Sequence, residues 1–282
     1  MDWLIDPFEL AFQQKALIGG SLAAVSLALV GTWVVIRGMT FLGDALVHGV
    51  IPGIALAILF DFNVLLGAGL AAGLMILGIN LVHRQTAFSE DTGIGLLFVG
   101  MLALGVIIIS TTASYQGSLT GILFGDALGI TTGDIVALLV VLGLTLVVTL
   151  VFYRSFLVLS FNELKAQLLG FRPRAAHITM LAMITLAIVS SFQTVGTLLV
   201  FGLLVGPPAT AVLLARRLPV IMITAGMIGV FSVAVGLVVS YHADTSGSAT
   251  MALVPIVMFF VVLTVKNLWP GRAATHTPDS LS

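Results

Sequence analysis

A chain of 282 residues that is 59% hydrophobic and only 8% charged has too little charge to cover a globule with a solvated surface. Soluble domains carry roughly 25% charged residues, so with a mean hydropathy of +1.21 lipid is expected to be the solvent for much of this chain. The net charge of −1 gives no footprint for a nucleic-acid partner, and the lack of cysteine excludes disulfides and thiolate metal sites.

Residues 1–15 are acidic and aromatic and lack the basic region of a cleavable signal peptide, so the first apolar run is expected to stay in the protein. A span needs roughly 20 apolar residues. Runs of that kind follow in order: Ala16–Ile36, Asp44–Phe60, Val64–Val82, Gly93–Ala113, Ile135–Tyr153, His177–Phe192, Val195–Ala215, Pro219–Tyr241 and Ala249–Val265. The second and sixth are short or interrupted. These runs do not alternate, so they predict helices rather than a barrel. The fold class is therefore an all-α polytopic bundle with about nine spans.

A further segment, Ser118–Ile130, is too short to cross and holds Gly121, Gly125 and Gly129; it reads as a re-entrant half-helix. The membrane-spanning domain occupies 1–269, and 270–282 is a polar tail. If the half-helix does not cross, ten of the eleven basic residues fall on one side, with Lys15 alone on the other. The positive-inside rule then puts the N-terminus outside and the C-terminus in the cytoplasm. Gly69–Gly73 and Gly125–Gly129 have the small-xxx-small spacing that lets helices approach closely.

Asp44 and His48 lie four residues apart inside the second run, so on a helix they share a face. Ionisable groups in a span are costly and face a bundle interior or a water path. A carboxylate oxygen and a neutral imidazole suit Zn(II) or Mn(II). Pro52 has no N–H, so the His48 carbonyl is expected to lose its helical partner and add to the polarity. The plainer alternative is that Asp44 caps the helix and His48 makes one interhelical hydrogen bond. His242 and Asp244 fall in an outward loop and either line the ion path or make a tight turn. Asp126 is the one charge in the half-helix and is a candidate for the outer vestibule or a cap. Asn80 and Gln193 read as interhelical hydrogen-bond formers.

Within 160–173, Glu163 to Leu169 reads as a short helix stopped by Gly170, with Leu164, Leu168 and Leu169 on one face. Such a helix lies on the membrane surface or docks in a partner's groove. No phosphate-binding loop of the form G-x-x-x-x-G-K-[ST] occurs, since none of Lys15, Lys165 and Lys266 follows a glycine. If ATP drives this protein, another subunit binds it. No nucleophile–base pair or H-E-x-x-H helix points to an enzyme.

Five stretches carry a family resemblance: Phe41 to Ala55 with its Gly43-Asp44, His48 and Pro52-Gly53; Glu90-Asp91-Thr92-Gly93-Ile94-Gly95; Leu123-Phe124-Gly125-Asp126; Gln193-Thr194-Val195-Gly196 through Pro207-Pro208-Ala209-Thr210-Ala211; and Asp244 with Ser246-Gly247 and Ala249-Thr250. In this order they resemble the permease subunits of the zinc/manganese/iron family of bacterial ABC importers. That resemblance implies a fold like the cobalamin and siderophore importer permeases, in the inner membrane, with two permease copies around a central path. It implies a cytoplasmic ATPase subunit, an extracytoplasmic metal-binding protein, and a transported Mn or Zn ion. It also implies that Asp44, His48 and Asp244 contact the metal, and that the helix bearing Glu163, Leu164, Leu168 and Gly170 couples to the ATPase. A rival without partner subunits is an ATP-independent secondary cation carrier using Asp44 and His48 as a proton relay.

Overall fold

The computed structural model describes residues 6–85, 90–111, 129–161 and 173–268. After a single 3-10 turn at Asp6–Glu9, the described residues form ten α-helices and no strand. They are α1 Ala11–Ile36, α2 Thr40–Gly49, α3 Ile51–Leu59, α4 Val64–Gln85, α5 Glu90–Ser110, α6 Thr132–Phe161, α7 Pro173–Val195, α8 Thr197–Leu214, α9 Leu218–Ala243 and α10 Gly247–Leu268. Helices α2 and α3 together make one 20-residue crossing, Thr40–Leu59, broken at Val50. Eight such segments have the length and apolarity to span a bilayer; the apolar part of α4, Val64–Ile79, is shorter.

Side-chain contacts fix which way each helix runs. Near the start of α1, Gly19 abuts Ile130, just ahead of α6, and near its end Trp33 packs edge-on against Tyr153 and Phe156 of α6, with centroids 6.0 and 5.4 Å apart. Start meets start and end meets end, so α1 and α6 are parallel. By the same reasoning α3 and α4 are antiparallel (Gly53 on Gly67, Gly49 on Met75), as are α4 and α5 (Gly78 on Leu97, Gly93 on Val82). Gly20 meets Val233 and Gly229 meets Ala24, so α9 opposes α1, while Gly202 on Ala252 and Gly206 on Pro255 align α8 with α10. The chain therefore leaves α5 and enters α6 on one face of the bundle. That is the topology expected of a segment between them that does not cross; residues 112–128 themselves lie outside the described residues.

Charge divides between the two ends. Asp6, Glu9, Asp61, Asp134 and Asp244 share the end where α1 begins, together with Lys15; Arg37, Arg154, Arg216, Arg217 and Lys266 share the other. The basic end is cytoplasmic by the positive-inside rule, so the N-terminal end faces outward.

Local chemistry explains the ends of the elements. Asn63 Oδ1 accepts from the Leu65 and Leu66 N–H groups and caps α4. Thr131 and Asp134 cap each other's backbone at α6, with the Thr131 hydroxyl donating to Asp134 at 2.6 Å. Lys266 donates to the Leu213 carbonyl at 2.7 Å and so satisfies an open carbonyl at the C-terminus of α8. A single residue, Gly196 at φ 81°, separates α7 from α8, a conformation that side chains beyond glycine rarely adopt.

Two groups of helices result. One is α1 with α8, α9 and α10; the other is α2–α3 with α4 and α5; α6 and α7 flank α1, and α7 also reaches the second group. Close approach between α3 and α4 is set by Gly53 and Gly67, whose backbones touch. The expected contact at Gly69–Gly73 is not made: nothing lies within 4 Å of a Cβ at either residue. Both instead line a cavity of about 320 Å³ opposite Ala182, Thr185, Leu186 and Val189 of α7. Spacing identified a small-residue pair but not the face it sits on.

Candidate metal path

Helix α2 begins at Thr40, with Met39 at its cap position, so Asp44 sits beyond the first turn and caps nothing. The capping alternative fails because the helix starts five residues earlier than a cap at Asp44 requires. Asp44 and His48 then lie one turn apart, with His48 Nε2 3.7 Å from Asp44 Oδ1. For donor–metal distances of about 2.1 Å, that 3.7 Å separation corresponds to an angle of about 120° at a shared ion. Both donors can therefore reach one cation without moving far.

The back of α2 is sealed. Ala45, Leu46 and Val47 are fully buried, and Gly43 lies under Leu204 of α8. The front is open: Phe41, Asp44 and His48 form a stripe at helical spacing, with the Asp44 and His48 side chains 28% and 25% exposed in the single chain. On the α5 side, the Phe98 ring meets His48 edge-on at 5.9 Å, and Phe41 packs on Phe98 at 6.1 Å.

The break at Val50 holds this stripe in place. Pro52 in the first turn of α3 removes one N–H, as expected. The His48 carbonyl is not left open, however; it accepts from the Val50 N–H in a tighter local bond. Three glycine contacts pin the break: Gly49 on the Met75 sulfur, Gly53 on Gly67, and Gly105 on Ile51 and Pro52. None of these was singled out from the sequence, because a glycine in a membrane helix signals close approach only when its partner is known.

The remaining candidates lie elsewhere. Asp244 is the left-handed C-cap of α9, at φ 50°, and is exposed at the outer end of the bundle. His242, in the last turn of the same helix, is exposed and packs against Tyr241 at 5.2 Å. Their loop is a tied turn: Ser240 Oγ donates to the Thr245 carbonyl at 2.6 Å, and Thr245 and Thr250 share a hydroxyl bond of 2.9 Å. Among the described residues no three of His, Asp and Glu gather as a metal site. One chain thus brings two donors together, Asp44 and His48, and leaves Asp244 near the outer mouth. Asp126, Glu163, Leu164, Leu168 and Gly170 lie outside the described residues, as do the side chains of Asn80 and Gln193.

Eight membrane-length segments among the described residues, one of them broken and bearing two ionisable residues, and a basic cytoplasmic end define a polytopic membrane transport protein. The chain belongs to the ABC 3 transport family, whose model matches residues 9–266, and it is a multi-pass protein of the bacterial plasma membrane. It is 35% identical, over 90% of each chain, to the manganese transport system membrane protein MntC of Listeria innocua. It is 33% identical to the manganese import system permease protein ScaB of Streptococcus gordonii, over 89% of this chain and 90% of that one. Among solved structures, PsaBC from Streptococcus pneumoniae in complex with Fab superposes with a TM-score of 0.84 at 29% identity, covering 92% of this chain and 94% of that one.

Proposed function

We propose that this chain is the membrane-spanning permease subunit of an ATP-driven importer of divalent transition metals, and that Asp44 and His48 hold the metal as it crosses. The carrying observation is the pair itself: a carboxylate and an imidazole 3.7 Å apart on the open stripe of a broken helix whose other face is sealed. Carboxylate in contact with lipid tails is strongly unfavourable, so the stripe faces another polar surface. Two donors are also too few for a divalent ion, which takes four to six. A second copy of the chain, related by a two-fold axis beside this stripe, supplies both needs, since it doubles the donors to two carboxylates and two imidazoles.

Manganese is the metal this reading favours. The site offers oxygen and nitrogen with no thiolate, and the relatives described above are named for manganese. His242 and Asp244, exposed at the outer end, flank the mouth through which an extracytoplasmic metal-binding protein hands over its ion. On the other side, Glu163, Leu164, Leu168 and Gly170, in the stretch that joins α6 to α7 along the chain, couple the permease to the ATPase. The permease makes and breaks no covalent bonds itself. Asp44 and His48 as the proton relay of a secondary carrier have no comparable observation in their favour.

The test is uptake in proteoliposomes holding the permease with its ATPase and binding protein, comparing Mn(II), Zn(II) and Fe(II). ATP-dependent uptake of Mn(II) above the other two is expected. Uptake that persists without the ATPase would contradict the importer reading.

A further inference from the structure

A metal-ligating histidine ordinarily donates its second ring N–H to a carboxylate, carbonyl or water, which fixes the ring and raises its basicity. His48 also has an aromatic neighbour: its Nε2 faces Asp44 at 3.7 Å, and its ring meets the Phe98 ring edge-on at 5.9 Å and 64°. Phe98 is itself anchored: it packs on Phe41, and its helix is tied to the break in the metal helix where Gly105 meets Ile51 and Pro52. Helix α5 otherwise exposes most of its surface, with only 22% of its span buried.

We propose that Phe98 is a positioning residue for His48, orienting the imidazole toward the ion by ring packing. This rests on the reading of Asp44 and His48 as metal ligands. A transport site must bind well enough to accept an ion and loosely enough to release it, and a ring that aims the imidazole supplies geometry without adding a further bond to the metal. An edge-to-face ring pair contributes modestly beyond its buried area, on the order of 1 kcal/mol, so Phe98 tunes the site rather than creating it.

The test uses the purified permease–ATPase complex, with the Mn(II) dissociation constant read from the six-line electron paramagnetic resonance signal of the free ion. Phe98→Leu keeps the apolar bulk and loses the ring; Phe98→Tyr keeps the ring. Phe98→Leu is expected to weaken Mn(II) binding about fivefold, the equivalent of about 1 kcal/mol, with assembly and basal ATP hydrolysis unchanged, while Phe98→Tyr stays within about twofold of wild type. Unchanged binding in Phe98→Leu, or equal weakening in both variants, overturns the positioning role. His48→Ala in the same assay separates the two claims: if it binds Mn(II) as wild type does, the ligand assignment falls, and with it the premise on which Phe98 was read.

Discussion

Gly53 and Gly67 meet backbone to backbone, each Cα against the other's carbonyl, where α3 crosses α4. No side chain fits between them, so this crossing fixes how the second half of the broken helix leans, and through Val50 how the Asp44–His48 stripe is presented. Gly53→Ala or Gly67→Ala is expected to force the helices apart. Overpacking of this kind costs about 1–3 kcal/mol in a close-packed core, and here the obstacle is backbone, which yields less than a side chain. Thermal unfolding of the detergent-solubilised protein should fall by several degrees for either variant, and metal uptake should fall with it.

Gly69 and Gly73 make the opposite case on the same helix. Neither would bring a Cβ within 4 Å of a neighbour, and alanine is the better helix former by about 1 kcal/mol. Gly69→Ala and Gly73→Ala should leave the melting temperature unchanged or raised, with uptake intact. A loss comparable to that of Gly53→Ala would show that α4 and α7 close on each other during transport.

At the cytoplasmic end, Leu164→Asp and Leu168→Asp should uncouple the two activities. ATP hydrolysis should continue near its basal rate, while ATP-dependent metal uptake falls at least tenfold, because a charge placed among these leucines opposes burial in the partner's groove. Paired measurement of phosphate release and metal uptake in one preparation checks this. Full uptake in both variants would move the docking surface elsewhere.

Much of this architecture was legible because the bilayer demands long apolar helices and punishes charges that lack a role. The apolar crossings, their orientation and the Asp44–His48 pair all follow from that demand, and Pro52 announced the break at Val50. What the sequence hid was partnership between helices. Gly69–Gly73 showed the spacing of a contact pair and so did Gly49–Gly53, yet only the second pair is in contact, with Met75 and Gly67, because the choice depends on which face the bundle buries. Phe98 is one of 17 phenylalanines, and nothing in its local sequence sets it apart until α5 is laid beside α2. Asp44 also admitted a reading as a cap until the helix was seen to begin at Thr40, a start without a side-chain cap to announce it. Asp244 stood with Asp44 and His48 on resemblance, whereas the fold puts it at the far end of α9, where three-dimensional depth decides and spacing along the chain cannot.

The most direct measurement is the initial rate of Mn(II) uptake by proteoliposomes carrying Asp44→Asn or His48→Gln, in assembled complexes that still hydrolyse ATP. These substitutions keep size and remove, respectively, the carboxylate charge and the imidazole donor. Rates at least a hundredfold below wild type for each are expected if the ion rests between these two side chains, since removing a ligand costs more than the 10–100-fold typical of an outer partner. Wild-type rates in both would mean that the ion crosses the membrane by another route.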